Sequence, residues 1–181
     1  MTAEQLAAAM HIKIGRAALW AAHLTEAMDA FEINTKRRQA AFLAQIGHES
    51  GGLAYVSEIW GPTPAQARYE GRLDLGNTEP GDGSRYRGHG LIQTTGRANH
   101  VRVRNRLHDR YPAVPDFEAD PEALTQPRWA ALSAADYWDD KRLNELADNG
   151  QFQLITRKIN GGLNGQVDRL TRLEWATEAL A

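Results

Sequence analysis

The sequence predicts an all-α fold with a glycine-rich loop region set between helices. Three observations predict it. Apolar residues recur at helical spacing over most of the 181 residues. Residues 61–90 break that spacing with Gly61-Pro62-Thr63-Pro64, Gly71, Gly76, Pro80-Gly81-Asp82-Gly83 and Gly88. No internal repeat or low-complexity linker divides the chain, and this length suits one domain.

Each element follows from local chemistry. Thr2 followed by Gln5 is a capping box that opens a short helix. Residues 16–31 carry Ala17, Leu19, Trp20, Leu24, Ala27, Met28 and Phe31 at helical spacing. Asn34 or Thr35 caps a helix over 36–49, with Ala40, Leu43, Ile46 and Gly47 on one stripe, and Gly51-Gly52 ends it. The long turn-rich stretch comes next, and long ordered loops in compact domains are usually functional. Residues 85–94 suit a short strand or hairpin. Helix resumes over 97–107. Pro112, Pro115 and Pro121 keep the following segment irregular. Further helices are expected near 122–126, 128–140, 142–148, 151–160 and 166–180, with Gly150 and Gly161 where C′ glycines belong.

Composition removes several classes. With 42% hydrophobic and 24% charged residues, the chain is neither collagen-like nor wholly disordered. No run approaches the ~18 uninterrupted apolar residues of a membrane span, so no stable membrane insertion is expected. With no cysteine, there is no disulfide framework and no thiolate metal site. The first ten residues lack the basic and apolar regions of a secretory signal. A net charge of −2 argues against a dedicated polyanion binder. Distribution matters more than the sum, however. Arginine supplies 17 of the 21 basic residues, and seven of them lie between Arg85 and Arg110, where the only acid is Asp109. That segment must face something negative, or solvent.

Several residues are suited to chemistry. Glu49, in Gly47-His48-Glu49-Ser50-Gly51-Gly52, borders the apolar stripe of its helix and ends it. Burial and the helix dipole both disfavour a negative charge there, which suits a general acid. The plainer reading is a terminal glutamate paired with an arginine. A zinc site fails, because the pattern needs a second histidine at position 52, which is glycine. Glu58 is near enough in sequence to face Glu49 across the double glycine, and two carboxylates flanking a cleft suit glycoside hydrolysis. Glu70, Asp74, Glu79 and Asp82 are rival second carboxylates.

In Tyr86-Arg87-Gly88-His89-Gly90-Leu91-Ile92-Gln93-Thr94-Thr95-Gly96-Arg97, small residues let backbone approach a ligand closely. Gln93, Thr95 and Asn99 offer neutral groups for sugar hydroxyl and acetamido groups. A turn followed by a helix capped by Thr94 or Thr95 would also explain part of it. Asn160 is either a C-cap residue or a ligand group. Trp60 and Tyr86 are candidate stacking platforms. Trp20, Trp129, Trp138 and Trp175 suit the core.

These stretches together resemble the lysozyme-like branch of glycoside hydrolase family 19, which includes plant chitinases and many phage endolysins. The resemblance rests on residues 41–53, 75–83, 86–97 and 159–163, four blocks in order. It implies a mainly α, lysozyme-like two-lobed fold with the glycine-rich loop or a small β-hairpin lining the cleft. One catalytic domain over 1–181 is expected, with a small wall-binding helical subdomain inserted within 100–150. The resemblance implies an inverting mechanism, in which Glu49 is the general acid and Glu58 the general base. Thr95 then helps hold the attacking water. Gln93, Asn99 and Asn160 would line sugar subsites, with His48 at the substrate beside them. Arg169 resembles an arginine that pairs with the catalytic acids and is grouped with the substrate-binding residues.

Three features depart from the family pattern: Ser50-Gly51 replaces Thr-Thr, Arg87-Gly88-His89-Gly90 replaces Arg-Gly-Arg-Gly, and the cysteines of plant chitinases are absent. They weigh against chitin more than against hydrolysis. The resemblance then implies an endolysin that cuts the β-1,4 bond between N-acetylmuramic acid and N-acetylglucosamine. The expected partner is bacterial peptidoglycan, met by a monomer without metal or cofactor. Synthesis would be in the host cytoplasm and action in the periplasm after holin-type release. The Arg85–Arg110 cluster would meet the anionic wall. The alternatives are a chitinase, a nucleic-acid-binding module using those arginines, and an inactive wall-binding relative.

Overall fold

The computed structural model describes all 181 residues. Ten α-helices account for most of them: α1 (Ala3–Met10), α2 (Ile14–Ala30), α3 (Lys36–Glu49), α4 (Pro64–Ala67), α5 (Asp82–Arg85), α6 (Arg97–His108), α7 (Pro127–Asp140), α8 (Leu143–Asp148), α9 (Phe152–Asn160) and α10 (Gln166–Ala179). Short 3-10 turns cover Leu73–Leu75 and Pro121–Thr125. The capping box of Thr2 and Gln5 opens α1 as the sequence predicts, and Thr35 rather than Asn34 caps α3. No helix is long and apolar enough to cross a membrane.

Helix α3 is the axis of the molecule. The spacing predicts one buried stripe, but every residue from Ala40 to Gly47 is buried. The reason is that α1, α8 and α10 all pack against it. At Gly47 an added Cβ would lie 3.1 Å from the Met10 methyl and 3.4 Å from the Arg172 guanidinium, so a small residue lets the three helices meet. α2 lies against α7, and one continuous core runs from Leu6 through Phe42 and Trp138 to Ala176. Trp20, Trp129 and Trp138 are buried in it as expected. Trp175 is only half-buried and stacks on His11, with ring centroids 4.0 Å apart.

The turn-rich stretch is not a free loop. It holds α4 and α5 and is pinned from inside. Asp82, buried, accepts from the backbone N–H groups of Thr78 and Glu79 and from Arg97 Nε and Nη2. The Arg97 hydrogen bonds and charge hold the Asp82 carboxyl below its ordinary range despite its burial. Asn77, also buried, donates to Tyr69 O and accepts from Arg97 N. The expected hairpin over 85–94 shrinks to isolated antiparallel bridges, His89 with Thr94 and Ser57 with His89. Gly88, Gly90 and the tight Gln93 turn leave no room for a longer ladder.

The arginines between 85 and 110 find their negative partners within the chain. Arg97 meets Asp82 and Glu118, Arg87 meets Glu122, and Arg104 approaches Asp116. Arg102 and Arg106 converge on acids of α7. Arg85 and Arg110 donate to the carbonyls of Ala119 and Ala30. The expectation that the whole cluster faces an anionic wall is therefore corrected. Acids distant in sequence fold back onto it, which local charge counting does not see.

Two buried histidines join the glycine-rich segment to α6. His100 Nδ1 donates to Gly96 O at 2.8 Å, so its Nε2 is the acceptor for His89 Nδ1 at 3.0 Å. That leaves His89 Nε2 bare, buried and 3.4 Å from Glu122 Oε1 without a hydrogen bond. Burial pushes the His89 imidazole below its ordinary value, and burial pushes His100 down to about 4. Both rings are neutral in the folded chain near neutral pH, whereas an unfolded histidine gains a proton below about 6.5. Between those values the unfolded state binds more protons. Stability is therefore full above the window and is lost as pH falls through it. His100 alone should cost about 3 kcal/mol by pH 4. Urea melts at neutral pH and at pH 4.5 check this. His100→Gln should flatten the fall, and a wild-type stability that stays level over the window contradicts the neutral pair.

Candidate active site

Glu49 ends α3, and its carboxylate is held from α10. Arg169 is fully buried, and its Nη2 donates to Glu49 Oε1 at 2.5 Å. Its Nη1 donates to Gln45 Oε1, one turn earlier in α3, and its Nε donates to Asn164 O at 3.2 Å. Gln45 in turn donates to Thr156 Oγ1 of α9 at 2.9 Å. Three helices thus converge behind one carboxylate. Glu49 Oε2 has no protein partner, and the side chain keeps about a fifth of its surface exposed. The plainer reading of Glu49 as an arginine-paired terminal residue is correct as geometry. It also leaves one oxygen facing outward.

Glu58 is held differently. Oε1 accepts from Gln66 Nε2 at 3.0 Å and lies 3.5 Å from the Tyr69 hydroxyl. Oε2 accepts from Gly88 N at 3.1 Å, while Glu58 N donates to Gly88 O at 2.7 Å. Every partner is neutral, so nothing local cancels the charge of this carboxylate. Trp60, half-buried, tilts against Tyr69 in the same loop.

The rival carboxylates are occupied elsewhere. Glu70 accepts from Gly81 N and Gly83 N, Asp74 is paired with Arg72 at the surface, and Asp82 is buried on Arg97. Glu79 is exposed. Among the five, only Glu58 has its carboxylate bonded to the backbone of the Tyr86–Arg97 segment.

That segment lines a groove of about 400 Å³. Gln93, Thr95 and Asn99 line it together with Arg102 and Arg106 of α6, Asp136, Tyr137 and Asp140 of α7, and Lys141 just past the end of α7. Gln93 has φ +56°, a conformation that costs a non-glycine residue strain and that persists where structure over-determines it. Its side-chain amide donates to Gly90 O at 2.9 Å, and a Cβ on Gly88 would lie 2.6 Å from its Oε1. Gly88 is therefore glycine because Gln93 fills its side-chain space. Thr95 Oγ1 donates to Gln93 O at 3.0 Å, and Asn99 donates to Thr95 O at 2.8 Å. α6 starts from Gly96 with no side-chain cap bond, so the reading of Thr95 as a helix cap is removed. The Thr95 oxygen keeps its lone pairs for a ligand or water. Burial, then the charges of Asp140 and Glu49, push the Tyr137 phenol above its ordinary range.

Two expected substrate contacts, Tyr86 and Arg169, are corrected. Tyr86 is buried. Its hydroxyl donates to Glu118 O, and Arg97 and His100 cover its ring, so no sugar can stack on it. Arg169 pairs with Glu49 as expected, but its complete burial keeps it from a substrate. His48 is bonded through Nδ1 to Asp168 at 2.7 Å, and its ring lies flush on Gly165, where no Cβ would fit. It ties α3 to α10. Asn160 is exposed at the end of α9, next to groove-lining Ile159. Sequence reading missed Gln45, Gln66, Tyr69 and Tyr137. Gln45 carried a signal, as a lone amide inside an apolar run, and Gln66 carried one in the Thr63-x-x-Gln66 capping box.

No protein-family model matches the chain. A glycosyl hydrolase family 19 domain-containing protein of Haemophilus influenzae is 33% identical over 162 residues, covering 74% of this chain and 76% of that one. An endochitinase of Arabidopsis thaliana is 32% identical over 127 residues, 70% of this chain, although the match spans only 40% of that protein. Chitinase C from Streptomyces griseus superposes with a TM-score of 0.72 at 25% identity, over 98% of this chain and 75% of that one. A second bacterial family 19 chitinase gives 0.68 at 27% identity, over 88% and 85%. With a relative this similar over most of both sequences, and the mainly helical fold shared as well, the chain belongs to glycosyl hydrolase family 19.

Proposed function

We propose that this glycoside hydrolase is an endolysin-type enzyme. It cuts the β-1,4 bond between N-acetylmuramic acid and N-acetylglucosamine in peptidoglycan, with inversion. Hydrolysis is supported by two carboxylates held in contrasting ways, one by a buried arginine and one by neutral donors that include the backbone of the glycine-rich segment. Glu49, fixed through Oε1 by Arg169, protonates the glycosidic oxygen from its outward Oε2. Glu58, held by neutral donors, takes a proton from water on the opposite face of the sugar. An inverting pair stands about 6.5–9.5 Å apart to admit that water. Thr95 Oγ1 has its hydrogen committed to Gln93 O, so it accepts a hydrogen bond from the water and aims it. Gln93 and Asn99 bind hydroxyl and acetamido groups of the glycan.

The observation that carries peptidoglycan is the charge of the groove. Arg102, Arg106, Asp136, Asp140 and Lys141 are five of its 14 lining residues. They pair with one another, but the cations Arg102 and Lys141 are the more exposed, and a neutral N-acetylglucosamine polymer has no charge for them. The second reading, chitinase, is favoured by the names of the structural neighbours. In the endolysin role the protein is made in a bacterial cytoplasm and acts in the periplasm. Digesting purified peptidoglycan and N-acetylglucosamine oligomers, with mass spectrometry of the products, decides between them. N-acetylmuramic acid at the new reducing ends supports the proposal. Intact peptidoglycan beside cleaved oligomers establishes the chitinase.

Glu49→Gln keeps a hydrogen-bond acceptor for Arg169 but removes its counter-charge, so it should melt lower and, per folded molecule, lose about 10²–10⁴-fold in rate, the usual loss on removing a general acid or base. Glu58→Gln should fall in the same range. A rate above about a tenth of wild type in either, measured on the preferred substrate, contradicts its role. Thr95→Ala should lower kcat with KM and melting temperature nearly unchanged, because the hydroxyl acts only in the transition state. Thr95→Ser should retain most of the rate. A Thr95→Ala protein that is destabilised yet fully active ends the water-holding assignment.

A further inference from the structure

We propose that Arg102 and Lys141, at the rim of the groove, form a carboxylate-binding subsite that selects an acidic acetamido sugar over a neutral one. The inference rests on the endolysin reading and names the group that the groove recognises. Three cations and two carboxylates line the groove. Asp140 accepts from Arg102 Nη2 at 2.8 and 3.0 Å and meets Arg106 Nη1 at 3.2 Å and Lys141 Nζ at 3.1 Å. Asp136 accepts from Arg106 Nε at 2.8 and 3.0 Å. Asp139 approaches Arg106 at 3.7 Å from a neighbouring depression and does not line the groove. With Asp139 counted, three cations meet three carboxylates, so exposure rather than net charge distinguishes the groove.

Depth decides which charge a ligand meets. The side chains of Asp136 and Asp140 are 5% and 19% exposed, whereas those of Arg102 and Lys141 are 54% and 36% exposed. The carboxylates form the floor and the cations form the lip. Donors also remain over. Arg102 uses only Nη2 on Asp140, so its Nε and Nη1 are unspent, and Lys141 spends one of its three N–H groups. A carboxylate at the lip would be met by both. Asn99 lies one turn before Arg102 on α6 and Gln93 lines the same groove, and both suit an acetamido group. A sugar that satisfies both sets of groups carries an acetamido group and a carboxylate together. The lactyl ether of N-acetylmuramic acid supplies that pair, and N-acetylglucosamine does not.

Calorimetry with the disaccharide of N-acetylglucosamine and N-acetylmuramic acid, and with its methyl ester, tests this. The ester keeps the shape and removes the charge. The acid should bind about tenfold tighter at low salt, the scale of two partly exposed charge contacts. The gap should narrow in high salt, because the contacts are at the surface. Arg102→Gln with Lys141→Gln should bring the acid to the affinity of the ester, with thermal melts confirming the fold. Equal wild-type affinities for acid and ester, absence of binding by the acid, or a gap that survives the double variant overturns the subsite. The wild-type comparison needs no variant to fold. Because the readout is binding, the two ideas fail separately. A protein that prefers the acid yet leaves peptidoglycan whole keeps this subsite and loses the endolysin reading. One that cuts peptidoglycan without preference does the reverse.

Discussion

The guanidinium of Arg169 is the constraint around which the molecule is arranged. A buried charge costs several kcal/mol unless it is paired and its donors are filled. Here Glu49 supplies the opposite charge, and Gln45 and Asn164 take the remaining directions. Each partner comes from a different place: the end of α3, the middle of α3 and the turn before α10. The packing of α10 on α3 and the setting of Glu49 are therefore one event. If α10 shifted along α3, a buried cation would be left unpaired, so the candidate acid is held as firmly as the core.

The loop side of the site works by the opposite logic. Glu58 has no cation, only the amide of Gln66, the Gly88 N–H and the Tyr69 hydroxyl. Neutral donors position a carboxylate without spending its charge. Gly88 is at once the hydrogen-bond partner of Glu58 and the seat of the strained Gln93 side chain. Backbone strain of this kind is sustained by surrounding structure, and here the His89–Thr94 bridge and the His89–His100 contact sustain it. The candidate base, Thr95 and Gln93 are linked through Gly88 and the Gln93 carbonyl.

Charge is used sparingly at the surface of this chain. Seven arginines in 26 residues look like a polyanion-binding stripe, yet the fold spends nearly all of them on its own carboxylates and carbonyls. Asp82, Asp136 and Glu118 lie far away in sequence and become partners only after folding. What is left exposed is a short cationic lip at the groove. Net charge alone could not have separated an ion-paired scaffold from an open patch.

The sequence by itself determined what local chemistry controls. Helix starts at Thr2 and Thr35, helix ends at Gly51 and Gly161, and the positions of Glu49 and Glu58 in conspicuous motifs were all legible, because capping, periodicity and glycine placement act over a few residues. Even the pairing of Arg169 with an acid could be read from resemblance. Only the tertiary structure decided what depends on burial and on partners distant in the chain. Tyr86 stands in a sugar-binding context by sequence, yet its ring is sealed under Arg97. His48 stands beside Glu49, yet Asp168 takes it. α7 carries no motif, yet it lines the groove. Periodicity shows which face of an element is apolar. Which residues on the other faces meet each other is set by the way the helices cross.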